Sequence, residues 1–162
     1  MKTAVILTVL FALGLPLGAQ TLDPSLQAGL VQLREEEKLA HDVYTFLSTQ
    51  NSRPVFKNIS QSEQTHYDRI GDLLKAYTIP DPSLGYSGLG EFKDPAFAKL
   101  YRDLTTQGSQ SYAAALEVGS IIEKLDIKDL EEQLKKTLPE DVKLVYQSLV
   151  AGSQNHLKAF SR

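Results

Sequence analysis

Glutamate and histidine interrupt the apolar helix stripes of this chain. Glu37 falls in the run Leu26, Leu30, Leu33, Glu37, Ala40, Tyr44, Leu47. Glu63 and His66 fall in Ile59, Glu63, His66, Ile70, Leu73, Tyr77. Both runs step by three and four, the spacing of one buried helix face. A carboxylate is costly to bury alone, so one in such a stripe is paired with a cation or bound to a metal. Carboxylates and imidazoles converging between helices are the usual ligands of metal sites in bundle cores. Glu123, between Gly119 and Ile127, and His156, between Gly152 and Phe160, interrupt two later stripes in the same way.

Each of these residues has a plainer reading. Ser60-Gln61-Ser62-Glu63 fits a capping box, with Glu63 folded back onto the Ser60 amide. Against that, Glu63-x-x-His66 places both side chains on one helix face. Glu37 also fits an ion pair with a Lys or Arg of a neighbouring helix. His66 alone reads as an ordinary core histidine, and His156 near a helix C-terminus as a cation favoured by the helix dipole. His41, four after Glu37, reads as an ion-pair partner. Glu35 and Glu36 read as a solvated flank, with Glu36 in reserve as a ligand. Glu117, six before Glu123, is the reserve for that helix but lies on another face.

The two halves of the chain echo each other around these residues. Glu37-Lys38-Leu39 matches Glu123-Lys124-Leu125, and Ser62-Glu63-Gln64-Thr65-His66 matches Gly152-Ser153-Gln154-Asn155-His156. A duplicated helix pair would place two Glu and two His around one axis. The second half has Ser153 where the first has Glu63, so one carboxylate is missing from the repeat.

Four main helices must position this set. Asp23-Pro24 starts the first, which runs to about Gln50. The second is expected from Ser60 to Tyr77. Pro80, Pro82, Gly85, Gly88 and Gly90 mark a long connection, read as a surface crossover rather than a lid. Asp94-Pro95 opens a shorter helix ended by Gly108. The third main helix is expected over 109–125, with a short extra one over 129–137. Thr137-Leu138-Pro139-Glu140 fits a capping box opening the last helix, which runs to Phe160. No segment alternates as a strand does, so the class is all-α, an up-and-down four-helix bundle with one or two short extra helices.

Composition narrows the chemistry. The 162 residues include no Cys, which excludes thiolate metal sites and iron–sulfur clusters. Any metal is held by oxygen and imidazole ligands, which suit iron, manganese or zinc. Net charge is −3 with scattered Lys and Arg, so nucleic acid is not an expected partner. Residues 1–19 read as a cleaved secretory signal, with Lys2, the apolar run Ala4 to Leu15, and Gly18-Ala19 before the cut. The apolar run is too short for a membrane span. Residues 20–162 then form one helical domain, expected in the periplasm or outside the cell.

The combination of Leu33-Arg34-Glu35-Glu36-Glu37-Lys38-Leu39-Ala40, Phe56-Lys57-Asn58-Ile59-Ser60, Ser62-Glu63-Gln64-Thr65-His66, Ile122-Glu123-Lys124-Leu125-Asp126-Ile127 and Gly152-Ser153-Gln154-Asn155-His156-Leu157 resembles the ferritin-like superfamily. It is most similar to the ferritin-like group known as domain of unknown function 2202. The resemblance implies a four-helix ferritin-like fold and a metal set of Glu37, Glu63, His66, Glu123 and His156. Tyr44, seven residues after Glu37, matches a tyrosine of ferritins and bacterioferritins and favours Glu37 over Glu36 and Glu35. Leu130, seven after Glu123, breaks that pattern, as Ser153 does. The implied chemistry is oxidation of Fe(II) by oxygen or peroxide at a di-iron or single-metal site. The alternative is a metal-free helical module that binds a partner in the cell envelope.

Overall fold

The computed structural model describes residues 22–161. The expected signal at 1–19 lies outside them. Five helices run in the order α1 (Pro24–Gln50), α2 (Val55–Ala76), α3 (Pro95–Gly108), α4 (Tyr112–Leu134) and α5 (Glu140–Phe160), with no strand among the described residues. No helix among them is long and apolar enough to cross a membrane.

The four long helices close a ring: α1 lies against α2 and α4, and α5 against α2 and α4. Two apolar clusters fix the directions. One joins late α1 (Tyr44, Leu47) and early α2 (Phe56) to early α4 (Ala115, Val118) and late α5 (Phe160). The other joins early α1 (Leu26, Leu30) and late α2 (Ile70, Leu74) to late α4 (Leu130) and early α5 (Val142, Tyr146). Every neighbouring pair in the ring is therefore antiparallel, and the chain between α2 and α4 must travel the length of the bundle.

That crossover is clamped to a second face of α1. Arg34 Nη2 donates to Asp81 Oδ2 at 2.8 Å. Lys38 Nζ donates to the Gly88 carbonyl at 3.0 Å, the Gly90 amide to Asp42 Oδ2 at 3.0 Å, and the Asp94 amide to Glu35 Oε1 at 3.1 Å. Gly90 has φ of 75°, and a Cβ there would meet the Tyr101 ring at 2.5 Å, so only glycine suits this turn. The crossover overturns the solvated-flank reading: Glu35 is buried and Glu36 half-buried, because the returning chain covers them.

Three helix boundaries differ from expectation. α2 begins at Val55, with the Asn58 amide bonded to the Pro54 carbonyl. Ser60 lies inside the helix and donates to the Lys57 carbonyl, so no capping box forms and Glu63 is free to point inward. α4 continues unbroken to Leu134 because nothing between Leu125 and Asp129 interrupts it, and the expected extra helix is its last part. α5 begins at Glu140 behind an extended Pro139 without a side-chain cap, so the box at Thr137 does not form either.

Candidate metal centre

A polar layer separates the two apolar clusters. Glu37 from α1, Glu63 and His66 from α2, Glu123 from α4, and Ser153 and His156 from α5 are all buried within it. The three glutamates are no more than 2% exposed.

Glu63 stands at the middle. Its Oε2 lies 3.0 Å from His66 Nδ1, and its Oε1 lies 2.7 Å from His156 Nδ1. Glu37 Oε2 is 3.4 Å from His66 Nδ1, and Glu123 Oε2 is 3.5 Å from His156 Nδ1. The two halves thus repeat one Glu–His distance around a shared carboxylate. Ligand atoms of Glu37, Glu63 and His66 converge within 4.8 Å of one another, as do those of Glu63, Glu123 and His156. The imidazoles lie 5.5 Å apart, ring centre to ring centre.

The surroundings orient these groups. His156 Nε2 lies 2.9 Å from Ser62 Oγ, which turns Nδ1 toward the carboxylates. Gly152 makes room for the other ring: a Cβ there would lie 2.5 Å from His66 Nε2. The Tyr44 hydroxyl donates to Glu123 Oε1 at 2.8 Å, across the bundle rather than to Glu37 on its own helix. Leu130 belongs to the far apolar cluster and offers Glu37 no matching hydroxyl.

Burial, and after it the Asp126 carboxylate, pushes Glu37 well above the usual carboxylate range. Burial raises Glu123 to about 8, with His156 opposing and Glu63 reinforcing. Burial also disfavours charge on Glu63, but the two imidazoles outweigh it and hold Glu63 at about 2. On the imidazoles burial opposes the proton, yet Glu37 and Glu63 hold His66 at about 10, and Glu123 and Glu63 hold His156 at about 9. In the metal-free cluster, protons supply the positive charge that the carboxylates demand.

The donor set fits a divalent metal. Glu37 Oε1, Glu63 Oε1, His66 Nδ1 and His156 Nδ1 are closed off from solvent and, apart from the Glu–His contacts given above, have no hydrogen-bond partner. Buried polar atoms are normally satisfied, so such atoms converging from α1, α2 and α5 could hold a cation. Oxygen and imidazole donors without sulfur suit iron, manganese or zinc.

The other predicted residues separate cleanly. Glu117 is exposed and takes no part. His41 pairs with Asp42 at 2.9 Å. Arg34 and Lys38 serve the crossover, so neither neutralises Glu37. Glu36 lines a cavity beside the site, and its Oε1 accepts from Gln32. Sequence reasoning missed Asp126. It lines the same cavity, its Oδ2 accepts from the Ser153 hydroxyl, and its Oδ1 is closed off without a partner. Burial raises it to about 7. Its place three residues after Glu123, on one helix face, was the signal available.

The chain matches the family described as uncharacterized protein domain DUF2202 over residues 27–162. It belongs to that family. A DUF2202 relative, the uncharacterized protein MJ0754 of Methanocaldococcus jannaschii, is 48% identical over 143 residues, covering 88% of this chain and 77% of the relative. The crystal structure of that hypothetical protein superposes with a TM-score of 0.83 at 47% identity, covering 87% of this chain and 80% of the other.

Proposed function

We propose that this DUF2202 chain holds two divalent metal ions, iron first among them, and supports oxidation of Fe(II) by oxygen or peroxide in a ferritin-like bundle. The observation that carries the reading is the pair of buried Glu–Glu–His groups sharing Glu63. Glu63 would bridge, Glu37 and His66 would hold one ion, and Glu123 and His156 the other. Bound iron supplies the electron transfer to the oxidant.

The chain's own residues do the rest. Tyr44 fixes the Glu123 carboxylate, and Ser62 fixes the His156 ring, as outer partners of metal ligands do. A cavity of about 120 Å³ reaches Glu37, Glu63 and Glu123 between apolar walls from α3 and α4, including Phe97, Leu104 and Ile122. An oxidant of a few atoms fits that volume, and the apolar walls keep bulk water from the carboxylates. The leader reading puts the protein in the periplasm or outside the cell, which N-terminal sequencing of the native protein tests.

The decisive experiment is metal analysis of untagged protein from its native compartment. Two ions per chain, abolished by the Glu63→Ala, His66→Ala double change, support the reading, and a single ion would reduce it to a single-metal site. An equally stable protein that binds no metal would leave a partner-binding helical module instead.

A further inference from the structure

The repeat lacks a carboxylate at Ser153, and the structure shows another side chain in its place. We propose that Asp126 is the fourth carboxylate of the metal centre, supplied from α4 instead of α5. The inference rests on the two-ion reading above.

Three observations carry it. Asp126 lines the cavity that also exposes Glu37, Glu63 and Glu123. Its Oδ2 is held by the Ser153 hydroxyl, from the position where a glutamate of the repeat would stand. Its Oδ1 is closed off from water and has no donor. A serine–aspartate pair with only a structural role would leave that oxygen unsatisfied, at a cost in stability. A cation at the centre removes the cost.

Charge gives the same answer. Glu37, Glu63 and Glu123 against two divalent ions leave one uncompensated positive charge in a buried site. Ionised Asp126 makes the site neutral, and an apolar interior penalises a surplus charge of either sign. Asp126 stands three residues after Glu123 on α4, as His66 stands three after Glu63 on α2. Each helix thus turns two donors of one face inward.

Glu36 is the competing fourth carboxylate. It also lines the cavity and has an unpartnered Oε2. Its other oxygen is taken by Gln32 on the outer side of α1, whereas the partner of Asp126 is a residue of the buried layer itself.

The test is titration with Co(II), followed by calorimetry and visible absorption, on the wild-type chain, Asp126→Asn and Glu36→Gln. The proposal expects two Co(II) for wild type and for Glu36→Gln. For Asp126→Asn it expects one Co(II), or a second bound roughly 10–100-fold more weakly, the usual effect of removing a supporting group at a metal site. Two ions bound to Asp126→Asn with unchanged affinity would overturn the proposal and leave the two-ion reading intact. A wild type that binds no Co(II) would overturn both. The double change Asp126→Ala, Ser153→Glu returns a carboxylate from α5 and guards against a folding defect in Asp126→Asn. Restored binding of two ions supports the proposal, and one ion or none counts against it.

Discussion

Replacing Gly152 with alanine puts the site geometry to a sharp test. The new Cβ would lie 2.5 Å from His66 Nε2 and 2.7 Å from its Cε1. Ordinary contact begins at 3.4 Å, so the imidazole must retreat by about 0.9 Å. Metal ligands hold their distances within about 0.2 Å, so that retreat takes Nδ1 out of range of an ion shared with Glu37 and Glu63. Two terms set the stability of the metal-free protein. Alanine gains about 1 kcal/mol over glycine within a helix, and forcing a methyl into a filled space costs about 1–3 kcal/mol. The net is a loss of roughly 0–2 kcal/mol, visible in a denaturant titration. Metal affinity should fall at least about tenfold for the ion on the His66 side and stay near wild type on the His156 side, as judged by calorimetric titration. A Gly152→Ala protein that gains the full helix-propensity increment and binds both ions normally would refute the placement of His66.

Three further outcomes follow from the same geometry. Tyr44→Phe leaves Glu123 Oε1 without its donor. It should destabilise the metal-free protein by about 1–3 kcal/mol in denaturant melts and weaken metal binding, and no change in either would contradict the role. In the metal-free cluster at pH 7, His66, His156 and Glu123 carry protons, since they are held at about 10, about 9 and about 8, and burial shifts Glu37 upward in the same direction. Metal loading must expel them, so calorimetry in buffers of different ionisation enthalpy should show several protons released and an affinity that climbs with pH. Release of less than about one proton per ion would show the imidazoles to be neutral already. Finally, burial alone would raise Asp81, but the Arg34 guanidinium and the Ser83 amide hold it below its ordinary 3.8. A depressed carboxylate stabilises the fold above its unfolded pKa and loses that contribution as pH falls through the folded one. Asp81→Asn should therefore cost about 0.5–1 kcal/mol at pH 7, solvent screening keeping a partly exposed pair weak, with the gap to wild type closing below about pH 4, whereas a constant gap would deny the ion pair.

The residues of the centre were legible because burial makes a charged interruption of an apolar stripe conspicuous. Glu37, Glu63, His66, Glu123 and His156 each broke a helical period, and the structure brings all five together. The antiparallel helix pairs followed from the short connections at 51–54 and 135–139. What local periodicity could not show was the path of the crossover. It gives α1 a second buried face, and so Arg34, Glu35, Lys38 and Asp42 are inside although their spacing reads as solvent-facing. The start of α2 was misjudged because Ser60 is an apt cap in sequence, while in the structure it spends its hydroxyl on the preceding turn. Asp126 escaped notice for a related reason. It sits beside the exposed Leu125 and Lys124, and only the approach of α5 and Ser153 reveals which way it turns.

Crystals grown with Fe(II) and measured at the iron absorption edge test the central claim most directly. The account predicts two anomalous peaks roughly 3.5–4 Å apart, one among Glu37, Glu63 and His66 and the other among Glu63, Glu123 and His156. Clean density with no peak, and both imidazoles hydrogen-bonded straight to the carboxylates, would contradict it.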